Sequence, residues 1–107
     1  MSKAEFSTIA EKTIQGIADA IESADTDYVL EVDFVDDVLN ILMPDKSQYV
    51  INKHEMTEEI WLSSPISGAV HFYYDADNDS WLDSDDNDLL TLIKDELKES
   101  VDIDVEF

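Results

Sequence analysis

The sequence predicts an α+β fold: a two-layer sandwich with two helices packed on one face of an antiparallel sheet. Helical periodicity occurs near both ends of the chain, apolar and polar residues alternate between them, and the linking segments are short enough for hairpins. Placing both helices on one face buries both apolar stripes and leaves the other face of the sheet open. The 107 residues are enough for one core, so we expect a single domain over residues 1–107.

The first helix is predicted from Ala4 to Ser23, where apolar residues recur at spacings of three and four. The stripe that faces the core consists of Phe6, Ile9, Ala10, Ile14, Ile17 and Ile21. Alternation from Asp27 to Phe34 predicts a half-buried strand with an acidic outer side, in which Tyr28 belongs to the apolar side. Asp36-Asp37 supplies a turn, and a second strand is expected from Val38 to Met43.

Two further strands, Tyr49–Lys53 and Glu59–Ser63, form a central hairpin in this interpretation. Strands at Ala69–Tyr74 and Trp81–Leu82 follow, separated by a polar turn. The second helix then carries an apolar stripe made of Leu89, Leu90, Ile93 and Leu97. Residues 101–107 alternate apolar and acidic side chains, so one side of this segment is expected to dock on the body.

The composition restricts the possible partners. Twenty-seven acidic residues against six lysines give a formal charge of −21, which opposes binding to nucleic acid or to anionic membranes and favours cations and basic proteins. The chain has no cysteine, so it cannot hold an iron–sulfur cluster through thiolates of its own. There is no apolar run of 18 residues, and the N-terminal pattern is an acidic amphipathic helix, so we expect a cytoplasmic protein.

The open sheet face is a candidate docking surface for a protein. Trp61 shares its face of the strand with charged and polar residues, and a tryptophan in such a setting provides apolar area together with one indole donor. The candidate partner-binding residues are Asn52, Lys53, His54, Trp61, His71 and Tyr73. Trp61 could instead simply cover the sheet, and the two histidines could ligate a metal or respond to pH.

Acidic residues of the first helix and first strand form a candidate metal site. If these elements are adjacent, their carboxylates form one band along a shared edge, where a hard cation or a basic partner relieves their repulsion. The residues are Glu11, Asp19, Glu22, Asp25, Asp27, Glu31 and Asp33. Sites of this kind are shallow and select poorly among ferrous iron, manganese and calcium. The alternative is a solvated face whose charge serves solubility.

The central hairpin resembles the signature of the frataxins, including their bacterial CyaY-type branch. The matching residues are YVINK at 49–53, a gap of six residues, and IWLSSP at 60–65. The resemblance implies an α/β sandwich and weak binding of ferrous or ferric iron by the acidic residues above. It also implies docking on the cysteine desulfurase and scaffold protein of iron–sulfur cluster assembly. The protein would be a regulator or iron donor, monomeric without metal, with ferroxidase activity left open.

Some positions depart from the family pattern. Ala18, Ala20, Ser23 and Ala24 stand where some relatives have a denser acidic run, which leaves iron stoichiometry and affinity open. His54 stands where most relatives have glutamine.

The second candidate function is binding of calcium or another divalent metal by the segment Asp75–Asp86. Carboxylates occupy positions 1, 3, 5, 9 and 12 of an EF-hand-like loop, but Ser80 replaces the glycine of the sharp turn, and a strand precedes the loop instead of a helix. A solvated hairpin turn is therefore favoured. A third candidate is a polyanion mimic that occludes a nucleic-acid-binding protein. No catalytic triad or phosphate-binding loop is evident, so we do not expect an enzyme.

Overall fold

The computed structural model describes residues 2–107, which form two helices and six strands. The helices are α1, Lys3–Ala24, and α2, Leu89–Val101. The strands are β1 (Glu31–Val35), β2 (Val38–Leu42), β3 (Gln48–His54), β4 (Glu59–Ser64), β5 (Gly68–Asp75) and β6 (Ser80–Leu82). Every strand pairs antiparallel with the next one in the chain, so the sheet order is β1-β2-β3-β4-β5-β6. The predicted α+β class is confirmed.

Both helices pack on the same face of the sheet. The Trp81 indole nitrogen donates to Thr13 Oγ1 of α1 at 3.0 Å, and the Tyr49 hydroxyl donates to Glu96 Oε1 of α2 at 2.8 Å. Alternate strand residues point toward the helices, as the period of two requires. The fully buried side chains include Phe6, Ala10, Ile14, Ile17, Ile21, Leu39, Ile41, Tyr49, Ile51, Ile60, Phe72, Leu89, Ile93, Leu97 and Val105. This packing buries both predicted helical stripes except for Ile9 and Leu90, which are only partly buried, and leaves the other sheet face without a covering helix.

Side-chain caps fix the beginnings of both helices. Ser2 Oγ accepts from the Glu5 backbone nitrogen at 3.1 Å, and Glu5 Oε1 accepts from the Ser2 backbone nitrogen, which forms a capping box for α1. Asp88 caps α2 by accepting from the Thr91 backbone nitrogen at 2.9 Å. Each cap satisfies a donor that a helix N-terminus leaves without a partner, so both starting points follow from local sequence.

The first strand begins later than predicted. β1 starts at Glu31, and Tyr28 is 90% exposed with a φ of 54°, so its ring does not face the helices. The reason is the buried carboxylate of Asp25, which accepts from the backbone nitrogens of Val29 and Leu30 at 2.8 Å each. These bonds hold the segment between α1 and β1 as a loop, and the alternation that suggested a strand there was misleading.

The hairpin turns use acidic residues with positive φ. Asp36 and Asp37, at 52° and 63°, connect β1 to β2 through a two-residue turn, as a type I′ turn requires. Asp75 Oδ1 accepts from the Asp77 backbone nitrogen at 3.2 Å within the solvated turn that leads to β6. β6 divides the segment 75–86 into two separate turns, so its carboxylates do not encircle one ion. The segment therefore contains the favoured solvated hairpin turn and does not form one continuous EF-hand loop.

The C-terminal segment docks as expected. Ile103 and Val105 are buried, whereas Asp104 and Glu106 are exposed. Neither helix of residues 2–107 combines the length and apolar character that crossing a bilayer requires.

A buried carboxylate joins the sheet to α2. Glu96 Oε1 accepts from the Tyr49 hydroxyl at 2.8 Å and from the Ser64 hydroxyl at 2.6 Å. Ser64 Oγ in turn accepts from the backbone nitrogens of Ile66 and Ser67 at 3.0 and 3.1 Å. Burial and the neighbouring Glu96 raise the pKa of Tyr49, so its hydroxyl remains a donor. One side chain thus fixes β3, β4 and the turn after β4 to the second helix.

We predict that Glu96→Ala lowers the free energy of unfolding by about 2–3 kcal/mol, because two buried hydroxyl donors lose their acceptor. Glu99→Ala removes the same charge from an exposed position of α2 and should change stability by less than about 0.5 kcal/mol. Urea denaturation of both variants measures the difference, and equal stabilities would contradict a structural role for this network.

Candidate functional site

Three aromatic rings form a continuous stack across the open sheet face. The His54 ring lies 3.9 Å from the Trp61 ring, centroid to centroid, at an interplanar angle of 5°. His71 covers the opposite face of the indole at 4.3 Å and 8°. The register produces this arrangement, because Trp61 of β4 is the partner of Asn52 in β3 and of His71 in β5. His54 lies two residues beyond Asn52 and therefore shares its face.

Hydrogen bonds fix the rings of the stack. The Trp61 indole nitrogen donates to Glu59 Oε1 at 3.1 Å, and His71 Nδ1 lies 3.9 Å from the same oxygen. His54 Nδ1 is 3.0 Å from Thr57 Oγ1. Trp61 is half-buried, since both faces of its indole are covered, so it presents the edge of the ring outward. The stack is therefore a preorganised ridge rather than an isolated exposed tryptophan.

Two more of the predicted docking residues border this ridge. Asn52 is half-buried beside Trp61, and Tyr73 is 45% exposed opposite Glu59 in the pairing of β4 with β5. The indole separates the two imidazoles, so His54 and His71 do not converge on one ion. Within residues 2–107, no group of three histidine, aspartate or glutamate side chains has the arrangement of a metal site.

Lys53 lies on the opposite side of the sheet from the stack, so it does not share a face with the other predicted docking residues. Lys53 lies two residues after the buried Ile51 in β3, so both side chains are on the same face of the strand. The Lys53 side chain is only 13% exposed. Its ammonium lies 3.3 Å from Glu11, 3.4 Å from Glu55 and 3.7 Å from Asp37. Burial alone lowers the pKa of Lys53, but these carboxylates outweigh it and hold the pKa above its usual value.

The predicted metal residues divide into three environments. Glu11 is paired with Lys53, and Asp25 is 6% exposed with both oxygens accepting backbone hydrogen bonds, so neither is a free carboxylate. Asp19 is exposed and accepts from Gln15 Nε2 at 2.9 Å. The other four are exposed along α1, the following loop and β1: Glu22, Asp27, Glu31 and Asp33. Since β1 is an edge strand that contacts α1, the segments that carry these carboxylates are adjacent at one edge of the fold.

Sequence analysis missed acidic residues that the fold brings beside Asp19. Asp104 and Glu106 of the C-terminal segment line a groove together with Asp19. They are more than 80 positions from it in the chain, and no spacing rule connects them. Glu59 could have been found, because residues 59 and 61 of one strand share a face.

The family model described as the frataxin-like domain matches residues 1–103. The chain belongs to the frataxin family. It is 35% identical over 91 residues to the iron-sulfur cluster assembly protein CyaY of Thioalkalivibrio sulfidiphilus, a match that covers 85% of this chain and 84% of that protein.

Solved frataxin structures share the fold. The frataxin from Psychromonas ingrahamii matches with a TM-score of 0.85 and 20% identity over 99% of this chain and 97% of that chain. Trimeric frataxin from Saccharomyces cerevisiae, complexed with ferrous iron, matches with a TM-score of 0.74 and 27% identity. That match covers 87% of this chain and 85% of that chain. Membership in the frataxin family and the predicted sandwich are thereby confirmed.

We predict that Lys53→Met lowers the free energy of unfolding by about 1–2 kcal/mol, because three carboxylates lose their shared cation. Since the folded-state pKa of Lys53 is raised, its stabilisation is fully present below the unfolded-state pKa of about 10.4 and is lost as pH rises through the folded-state value. Added salt should reduce the deficit of the variant.

Lys98→Met is the matched control for this prediction. Lys98 also pairs with two carboxylates, Asp102 and Asp104, but it is 52% exposed, so its loss should cost less stability than the loss of Lys53. Denaturant titration at pH 7 compares the two variants. Equal losses would show that the partial burial of Lys53 has no consequence.

Proposed function

We propose that this protein is an iron-binding accessory protein of iron–sulfur cluster assembly that docks on the cysteine desulfurase and scaffold complex. Family membership and the name of the CyaY relative support this proposal. The observation that carries it is the stack of His54, Trp61 and His71 on the uncovered sheet face. The protein acts by occupying the complex, and it regulates the rate of sulfur transfer or the supply of iron without catalysing a reaction itself.

The stack has the properties of an interface hot spot. Large aromatic side chains with a polar atom dominate binding energies when they are rigid before binding, because little conformational entropy is then lost. Trp61 is held between two rings and by its bond to Glu59, so its position is fixed in the free protein. Asn52 and Tyr73 provide polar contacts at its border. This surface therefore suits the scaffold and desulfurase as protein partners.

In this proposal, basic partners and iron bind the exposed acidic edge, which consists of Asp19, Glu22, Asp27, Glu31 and Asp33. Single exposed carboxylates such as Asp19, Glu22 and Asp27 provide oxygen ligands that suit hydrated ferrous or ferric ions, with water completing the coordination. Iron bound in this way is a weakly held cargo. The same charges attract a lysine- or arginine-rich patch of the desulfurase. The proposed cellular site is the cytoplasm, and the proposed state without metal is a monomer.

We predict that Trp61→Ala weakens binding to the desulfurase–scaffold complex by about 30-fold, which corresponds to the loss of a 2 kcal/mol hot spot. Ile66→Ala truncates another exposed apolar side chain, in the turn after β4, and should leave the affinity within about twofold. Surface plasmon resonance gives both affinities, and thermal melting checks that both variants fold. Equal affinities of the two folded variants would reject the stack as the docking surface.

The acidic edge is tested by removing three of its charges together. The triple variant Asp19→Asn/Glu22→Gln/Asp27→Asn should bind both ferrous iron and the desulfurase at least fivefold more weakly. Its free protein should be slightly more stable, because repulsion along the edge is relieved. The control is a triple variant with the same change of charge at exposed acidic residues outside this edge, Asp77→Asn/Asp95→Asn/Glu99→Gln.

Anaerobic calorimetry with ferrous iron and binding to the immobilised desulfurase measure the two affinities. Equal effects of the two triple variants would show that total charge, and not this edge, determines binding.

A further inference from the structure

Within residues 2–107, no strand covers the outer edge of the first five residues of β5. β5 extends from Gly68 to Asp75, but the outermost strand, β6, pairs only with Tyr73, Tyr74 and Asp75. The remaining residues, 68–72, pair with β4 on one side only. Gly68, Ala69 and His71 are exposed, in agreement with an open edge. In an antiparallel strand, alternate backbone N–H and C=O groups point to each side, so this edge offers hydrogen-bonding groups to an added strand.

A depression of about 520 Å³ adjoins this free edge. The side chains of His71, Tyr73 and Glu59 line it from the open sheet face, and Ser84 and Asp85 line it from the loop between β6 and α2. The outer face of the His71 ring is directed away from Trp61, because the indole covers only one side of that ring. The depression thus combines the aromatic side chains of His71 and Tyr73 with the exposed carboxylate of Asp85, and none of its lining residues is a lysine.

Hydrogen bonds to Asp83 hold together the loop that forms the outer wall. Asp83, 8% exposed, accepts from the backbone nitrogens of Asp85 and Asn87 at 2.9 Å each and from Asn87 Nδ2 at 3.0 Å. Burial would raise the pKa of Asp83, but these hydrogen bonds hold it below its usual value. Both carboxylate oxygens of Asp83 therefore accept hydrogen bonds within the loop. Asp85 is the carboxylate on this wall that remains available to a bound cation.

We infer that the edge of β5 from Gly68 to Phe72 is a docking site for an extended protein segment that adds a strand and places an arginine side chain beside His71 and Asp85. Strand addition supplies main-chain hydrogen bonds, and the pocket supplies specificity for the alternate side chain. A guanidinium is favoured because it can stack on an aromatic ring and donate hydrogen bonds to a carboxylate at the same time. The formal charge of −21 also favours a cationic segment. The site shares His71, Tyr73 and Glu59 with the surface of the proposed function, but strand addition at β5 does not require that function.

Three peptides test the inference by two-dimensional NMR titration of the isotope-labelled protein. The first is acetyl-Val-Thr-Arg-Thr-Val-amide, the second replaces arginine with neutral citrulline, and the third carries N-methyl groups on alternate backbone nitrogens on the pairing side. The arginine peptide should shift the amide signals of residues 68–72 and 84–85. Citrulline should weaken binding at least threefold, and N-methylation should abolish it.

Charge-matched variants complete the test. Asp85→Asn should weaken the arginine peptide at least threefold, whereas Asp77→Asn, which removes an equal charge from the exposed turn after β5, should not. Equal binding of the N-methylated peptide would overturn strand addition. The arginine site would be overturned if the citrulline peptide bound as tightly as the arginine peptide. It would also be overturned if the amide shifts were confined to the acidic edge of α1 and β1.

Discussion

The pairing of β3 with β4 determines both the core and the candidate docking surface. Ile51 is opposite Leu62 on the buried face, and the next pair, Asn52 with Trp61, is on the open face. Because side chains alternate, a shift of one residue would turn the indole inward and the aliphatic residues outward. The burial of Ile51 and Leu62 beneath the helices therefore fixes the register that brings His54, Trp61 and His71 into one stack.

Electrostatic repulsion is the opposing constraint, and the fold reduces it by local use of acidic groups. Several carboxylates accept backbone hydrogen bonds, as Asp25, Asp83 and Asp88 do in loops and at a helix start. Lys53 compensates three others where α1, the β1–β2 turn and the β3–β4 turn meet. The carboxylates that remain exposed on α1 and β1 carry the proposed metal and partner functions. The acidity is thus divided between structural acceptors and an available surface.

Local patterns were sufficient for most of the fold but for only part of the site. Periodicity located the first helix to within one residue at each end and identified the apolar stripe of the second, and alternation assigned Trp61, His71 and Tyr73 to one face. It failed at Tyr28, where the buried Asp25 overrides the strand pattern. The proximity of Asp104 to Asp19 could not be predicted, because it arises from tertiary packing of distant segments. The ion pairs of Lys53 depend in the same way on how α1 crosses the sheet.

The order of the strands has a consequence for folding kinetics. Each strand neighbours the next one in sequence, so the sheet can grow by successive hairpins that close only short loops. In contrast, α1 and α2 lie at opposite ends of the chain and meet the sheet through contacts such as Thr13 with Trp81. Docking the terminal helices is therefore the step that closes the longest loops, and the rate of folding should depend chiefly on it.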